Sequence, residues 1–156
     1  MGFIDPAASG AASRTTLSCS IDDHDRYPTV SGVAFLGVVA ALSMAAFGLP
    51  PVDIHGPLHW FGIMDPLCGG TWAARYVAEG NLRMAWRYNP LSIFVVAFGA
   101  AVVARAFLGI ATRRWVTLTI EWTARGRTTA LGATFVLLVL LEVRQQSLAA
   151  MLLARR

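Results

Sequence analysis

The chain contains no lysine and few charged residues of any kind. Only 14% of its 156 residues are charged, whereas soluble domains average about 25%. Hydrophobic residues make up 56% of the chain, and the mean hydropathy is +0.56. This composition argues against a soluble domain and indicates a membrane protein. All 13 basic side chains are Arg, which, given the abundant alanine and glycine, we attribute to a coding bias rather than to a mechanism.

Cysteine is nearly absent as well. The two cysteines, Cys19 and Cys68, lie far apart, so they form neither a disulfide framework nor a Cys-x-x-Cys pair. A single disulfide bond between Cys19 and Cys68 remains an alternative. The start of the chain lacks a basic segment followed by an apolar one and carries acidic residues instead, so we do not expect a cleaved signal peptide.

The net charge of +4 does not point to nucleic acid, because the arginines flank apolar runs. Arginine in that position anchors a protein to anionic lipid headgroups. We therefore expect the lipid bilayer as the main partner, other membrane-protein helices as further partners, and no nucleic acid.

Three apolar runs are candidates for membrane spans. About 20 apolar residues, at 1.5 Å each, match the roughly 30 Å thickness of the hydrocarbon layer. The predicted spans cover residues 30–49, 91–111 and 128–146. Asn89-Pro90 opens the second one with a capping residue and a proline at the first helical position. We predict an all-α integral membrane protein with about three transmembrane helices, multi-pass in the cell (inner) membrane.

The segments outside the spans differ in character. Residues 1–28 are small, polar and acidic, which predicts a flexible tail before a single membrane domain over residues 29–156. In the second loop, Trp115–Trp122 alternates polar and apolar residues. A lone strand has no partner, so we interpret this segment as an interfacial turn or a helix extension. Arg105, near the far end of the second span, is expected to snorkel to the interface; the alternative is a functional intramembrane charge.

The long loop, residues 51–89, is too polar to cross a bilayer as a simple helix. Asp65-Pro66 suits a helix start, so a helix is expected over Leu67–Glu79, ended by a left-handed Gly80, with a second helix from Asn81 to Tyr88. Charged residues recur every four positions, and aromatic residues accompany them. This pattern predicts amphipathic helices lying in the interface; a shallow re-entrant segment is the alternative.

The same loop carries an ordered series of motifs. They resemble those of a family of small bacterial membrane proteins known as domain of unknown function 2752, whose pattern runs Cys-Pro-x-His, then Cys-Pro-Gly-Cys-Gly-x-Thr-Arg-Ala, then Gly-Asp-Leu and Asn-Pro-Leu. The residues that keep its order and spacing are Pro57, Leu58, His59, Gly62, Pro66, Cys68, Gly69, Thr71, Ala73, Gly80, Leu82, Ala85, Trp86, Asn89, Pro90 and Leu91. The resemblance extends over roughly residues 30–146, where the family tends to carry an Arg with a polar neighbour, as in Arg144-Gln145. It implies a membrane fold and location but no activity.

Several positions depart from the family pattern. Gly56 and Asp65 stand where the family has cysteine, Leu67 replaces a glycine, and Trp72 replaces an arginine. Only one of the three family cysteines, Cys68, remains. A redox or tetrathiolate role suggested by the cysteine-rich form is therefore not carried over to this chain.

The candidate site follows from the motif residues. It comprises His59, Asp65, Pro66, Cys68, Gly69, Thr71, Arg75, Asn89, Pro90 and Arg144. His59, Asp65 and Cys68 are the candidate ligands of a metal, zinc by their chemistry, although we predict no cofactor. A Cys68 thiolate at a helix start is a candidate nucleophile, and Gly69-Gly70 a candidate phosphate cradle. The alternative to all three is structural packing.

Topology adds one expectation. With three spans, the long loop and residues 142–146 share one side of the membrane, so Arg144 or Glu142 is predicted to contact the Asp65–Arg75 segment. The positive-inside rule is tied, and the four arginines of the second loop favour a cytoplasmic N-terminus. The function expected is an accessory, scaffold or lipid-contacting subunit without catalysis. The alternative is a membrane enzyme or a metal or redox protein centred on Cys68, Asp65 and His59.

Overall fold

The computed structural model describes residues 15–49 and 65–149 of the chain. This part of the protein is mainly helical, as predicted. Its elements, in chain order, are β1 Thr16–Asp22, α1 Pro28–Phe47, α2 Gly70–Ala78, α3 Leu82–Tyr88, α4 Pro90–Thr112, β2 Trp115–Glu121 and α5 Ala124–Ser147.

Three of the helices, α1, α4 and α5, are long and apolar enough to cross a membrane. They include nearly all of the predicted spans and begin one to four residues earlier. Side-chain caps fix two of these starts: Asn89 accepts a hydrogen bond from the amide of Leu91 at 3.0 Å, and Thr123 accepts one from the amide of Gly126 at 3.0 Å. The prediction of a mainly helical fold with three helices that could span a membrane is confirmed.

The two short helices of the long loop are also present. Gly80 adopts the left-handed conformation, with φ of +77°, as the sequence predicted. The Asn81 side chain caps the second helix by accepting from the amide of Met84 at 3.1 Å. The first helix begins at Gly70 rather than at Leu67. The reason is Gly69, whose φ of +74° interrupts the helical path of the chain.

The buried core lies where α2 and α3 cover the start of α4. Ala73, Ala85 and Tyr88 are buried there, and the rings of Trp72 and Tyr76 stack with Tyr88 at centroid distances of 5.8 and 5.5 Å. This cluster fixes the two short helices to one end of the spans.

At the other end of the spans lies a two-stranded sheet. β1 and β2 pair antiparallel from Thr16 opposite Glu121 to Asp22 opposite Trp115. The tail predicted over residues 1–28 therefore contains a strand, and the interpretation of 115–122 as a turn or helix extension is wrong. A single strand needs a partner to be stable, and the sequence showed none for 115–122. The structure supplies it, since β1 pairs with β2.

The third span is attached at its ends and free along its middle. Near its start, the hydroxyls of Thr15 and Thr123 lie 3.3 Å apart. Near its end, Gln145 is fully buried. Between these points, every residue from Leu131 to Leu140 is exposed. Over that stretch α5 packs against no other helix of the described residues.

Candidate functional site

Asn89 is the centre of the predicted site. It is 1% exposed, and its amide nitrogen donates to the carbonyl oxygens of Pro66 at 2.9 Å and Cys68 at 3.1 Å. Its side-chain oxygen caps α4. One side chain thus joins the turn before α2 to the start of the second span, and both its N–H donors and its oxygen bond to the backbone. Pro90 follows as the first residue of α4.

The turn that Asn89 holds begins at Asp65. Its carboxylate accepts from the amide of Leu67 at 2.7 Å, and its carbonyl accepts from the amide of Cys68 at 3.0 Å. The next contact comes from Ser92, whose hydroxyl donates to the carbonyl of Gly70 at 3.2 Å. Asp65 therefore caps this turn. Gly70 lies against Ser92 of α4, which favours the packing alternative for this glycine.

Cys68 is buried, with 5% of its surface exposed. Burial raises the pKa of its thiol, the neighbouring Asp65 carboxylate raises it further, and a hydrogen bond from the amide of Gly69 offsets only part of this. A nucleophilic cysteine needs the opposite shift, towards more thiolate at neutral pH. The environment of Cys68 favours a small, protonated packing residue over an activated nucleophile.

Arg144 reaches the long loop from α5. Its guanidinium donates to the carbonyls of Trp86 at 2.7 Å and Arg87 at 3.3 Å, and the neighbouring Gln145 donates to the carbonyl of Tyr88 at 3.0 Å. The last carbonyls of α3, which lack partners within the helix, are satisfied in this way. Arg144 thus lies on the predicted side, but its hydrogen bonds go to α3 rather than to the predicted segment, Asp65–Arg75.

The remaining candidate residues are more dispersed. Arg75 pairs with Glu79 at 2.7 Å and lies over the Trp72 ring at 6.0 Å, and Thr71 is exposed near the start of α2. His59 lies outside the described residues. Within residues 15–49 and 65–149, no group of three potential metal ligands occurs. Asp65, Pro66, Cys68, Gly69, Asn89 and Pro90 are the motif residues that the structure brings together, and Arg144 joins the adjoining α3.

Comparison with known proteins bears on this same region. Residues 57–103 match a family model described as Protein of unknown function (DUF2752). The resemblance stated from the motifs is confirmed over this range. No curated protein matches the chain. No solved structure matches it either.

The DUF2752 match corresponds to a definite part of the fold. It contains the Asp65 turn, both short helices and the first half of α4. The sheet, α1 and α5 lie outside it. The matched part is therefore the end of the spans that Asn89 holds together.

A second polar centre, which the sequence did not reveal, lies at the other end of the spans. Arg105 donates to Asp25 at 3.0 Å and, through Nε, to the carbonyl of Val116. Asp25 also accepts from the hydroxyl of Ser31 at 2.6 Å and from the amide of Tyr27 at 3.0 Å. Both charged side chains are less than one-fifth exposed. Arg105 thus forms an ion pair within the protein, and its snorkelling to the interface stays a prediction.

The charge of Asp25 is favoured by these partners. Burial alone would raise the pKa of its carboxyl, but the hydrogen bonds from Ser31, Tyr27 and Arg105 and the charge of Arg105 outweigh it, so the pKa lies below its usual value. The centre connects the start of α1, the last turns of α4 and the strand β2. An acidic residue five positions before the apolar run that starts at Val30 was the available signal, but nothing in the sequence paired it with Arg105.

Proposed function

We propose that this chain is a non-enzymatic accessory or scaffold subunit of the cell (inner) membrane. Its three long helices would cross the bilayer, and its free surfaces would receive lipid and the helices of other membrane proteins. The observation that carries the proposal is the exposure of α5.

A span in a closed bundle hides one face against its neighbours, but α5 hides none from Leu131 to Leu140. Its ends are nonetheless fixed, by Thr123 near Thr15 and by Arg144 and Gln145 on α3. Membrane helices associate through side-chain packing rather than through exclusion of water. A fixed helix whose middle has no helical neighbour among the described residues therefore presents a contact surface for another helix.

The motif region supports the absence of catalysis. Asn89 uses its amide to hold backbone carbonyls, Arg144 does the same on α3, and the pKa of the buried Cys68 thiol is raised. A reactive group would need to face a substrate and hold a suitable protonation state. Asn89 and Arg144 instead connect the segments at one end of the spans, and Cys68 is buried beside them.

The orientation we propose has the N-terminus in the cytoplasm. The pairing of β1 with β2 joins the N-terminal segment to the second loop. That loop contains four arginines over residues 113–127. Short loops rich in arginine are retained on the cytoplasmic side of a membrane.

Cysteine scanning of α5 tests the scaffold role. In a Cys19→Ser, Cys68→Ala background, single cysteines are placed at Val136, Leu137 and Leu138 and at the next residue, Val139, which together cover a full helical turn. Cross-linking in native membranes is expected to give adducts on one side of the turn only. Lipid contact all round α5, with no adduct at any of the four positions, would contradict the scaffold role.

Random collisions are excluded by an internal control. The same four variants are cross-linked after dilution in detergent, where collisional adducts decline with concentration. In the membrane, adducts with a helix that packs against α5 are expected at some of the four cysteine positions and not at others. Equal adducts at all four positions would also count against a defined interface.

A further inference from the structure

The two faces of the small sheet have opposite chemistry. Residues directly opposite each other in an antiparallel pair share a face, and neighbours along a strand alternate. One face carries Leu17, Cys19, Ile21, Val116, Leu118 and Ile120, and the other carries Thr16, Ser18, Ser20, Asp22, Trp115, Thr117, Thr119 and Glu121.

The polar face is turned inward along β2, at Trp115, Thr117 and Thr119, whereas its residues Thr16, Ser18, Ser20 and Glu121 are exposed. Thr117 is fully buried, and the Trp115 ring lies against Gly109 of α4, 2.5 Å from where a β-carbon would stand. On the apolar face, the five large side chains are each 45–68% exposed. A water-soluble sheet has the reverse arrangement, with its apolar face covered and its polar face in solvent. Apolar outside and polar inside is the arrangement that a lipid environment favours.

The position of the sheet along α4 sets its depth. β2 runs back beside the helix, so that Trp115 meets Gly109 and the carbonyl of Val116 meets Arg105. From Arg105 to Thr112, the helix covers about 10 Å at 1.5 Å per residue. The sheet therefore lies beside the last two turns of a spanning helix and not beyond its end. On those turns, Phe107 and Ile110 are also exposed.

The chain next to β2 has the composition of a membrane interface. Arg113 and Arg114 precede the strand, and Trp122, Arg125 and Arg127 follow it. Arginine binds anionic headgroups, and tryptophan is enriched at headgroup depth. Two edge carbonyls of β2 are satisfied within the protein: Arg105 donates to that of Val116, and the Tyr27 hydroxyl donates to that of Leu118 at 3.4 Å. This reduces the cost of placing a strand next to lipid.

We propose that the apolar face of the sheet (Leu17, Cys19, Ile21, Val116, Leu118 and Ile120) lies in the interface of an anionic phospholipid bilayer. The sheet then binds the bilayer surface through this face, at the end of the spans opposite the DUF2752 match. The inference rests on the membrane-spanning part of the proposed function and is independent of the scaffold role. A soluble protein covering this face is the competing outcome.

Cys19 provides a probe on this face. Cys68→Ala leaves Cys19, which is exposed, as the single thiol for a polarity-sensitive dye. The labelled full-length protein is placed in vesicles of phosphatidylcholine and phosphatidylglycerol. We expect blue-shifted emission, quenching by lipids that carry a nitroxide near the headgroup, and little quenching by aqueous iodide. Dye at Ser18→Cys, on the opposite face of the same strand, is expected to respond less to the lipid nitroxide. This control also carries Cys19→Ser and Cys68→Ala.

A third label separates the possible failures. Phe98→Cys in the same cysteine-free background lies in the middle of α4 and reports insertion of the span itself. Lipid quenching at position 98 but iodide quenching at Cys19 equal to that at position 18 would overturn the sheet proposal alone. Iodide quenching at position 98 would instead overturn the membrane-spanning assignment on which both proposals depend.

Discussion

The guanidinium of Arg105 lies 3.0 Å from the carboxylate of Asp25, although 80 positions separate the two residues in the chain. Arg105 belongs to α4, and Asp25 lies between β1 and α1. Their contact, with the hydrogen bond from Arg105 to Val116, connects the sheet to two of the three long helices. The ion pair is therefore one of the polar attachments of the sheet to the spans, beside the hydrogen bond from Tyr27 to Leu118.

Loss of this ion pair should destabilise the protein. Arg105→Gln removes the charge and shortens the side chain, which leaves a largely buried Asp25 carboxylate without its cation. We expect a loss of about 1–3 kcal/mol in the free energy of unfolding. Thermal unfolding in detergent measures it. The matched control is Arg75→Gln, which breaks a more exposed pair with Glu79 and should cost about 0.5 kcal/mol or less. Equal losses in the two variants would contradict the role assigned to Arg105.

The contribution of Asp25 should depend on pH in a defined direction. The pKa of its carboxyl in the folded protein is lowered from an ordinary value of 3.8. The folded state therefore binds the proton more weakly than the unfolded state does, so the stabilisation is fully present above the ordinary pKa and is lost as the pH falls through the lowered one. The difference in stability between wild type and Asp25→Asn should stay constant from neutral pH to about pH 5 and shrink below it. A difference that grows on acidification would refute this.

The contact between Gly109 and Trp115 leaves no room for a side chain. A β-carbon at position 109 would lie 2.5 Å from the indole ring. Gly109→Ala is therefore expected to displace the sheet and to cost about 1–3 kcal/mol through overpacking. Gly132→Ala in α5, where nothing lies within 4 Å, should be neutral or stabilising by up to about 1 kcal/mol through helix propensity. Thermal unfolding of the two variants checks this; a harmless Gly109→Ala would mean that the strand does not run beside α4.

Asn89 should matter more than its neighbours in the same turn. Asn89→Ala removes two hydrogen bonds to the carbonyls of Pro66 and Cys68 and the cap of α4, and it leaves buried groups without partners. We expect a loss of about 2–4 kcal/mol, combining the cap with the unsatisfied groups. Ser92→Ala, which removes one hydrogen bond to Gly70, should cost about 1 kcal/mol. Denaturant or thermal unfolding distinguishes the two, and similar losses would mean that Asn89 does not hold this end of the spans.

The features that the sequence predicted well are local ones. Asn89 caps α4 because its side-chain oxygen accepts from a backbone amide only two residues away, that of Leu91. The left-handed Gly80 and the three apolar runs depend on neighbouring residues in the same way. The motifs around Asn89 also identified the DUF2752 resemblance over residues 57–103.

The features that it missed are contacts between distant segments. Ser18 and Thr119 face each other across 101 positions, and neither segment alone can show that it has a partner. Both segments alternate polar and apolar residues, and that shared alternation was the signal that could have paired them. Topology placed Arg144 on the correct side, but only the packing of α3 on α4 decides that it reaches Trp86 and Arg87 rather than Asp65.

Bound metal is the measurement that separates a structural Cys68 from a chemical one. Elemental analysis is done on detergent-purified wild type beside Cys68→Ala, with thermal unfolding of both. Since the thiol is buried and its pKa is raised, we predict no stoichiometric zinc or iron in either protein and a modest loss of stability in the variant. Stoichiometric metal in the wild type that disappears in Cys68→Ala would contradict a structural role and would make the Asp65–Cys68 turn part of a metal centre.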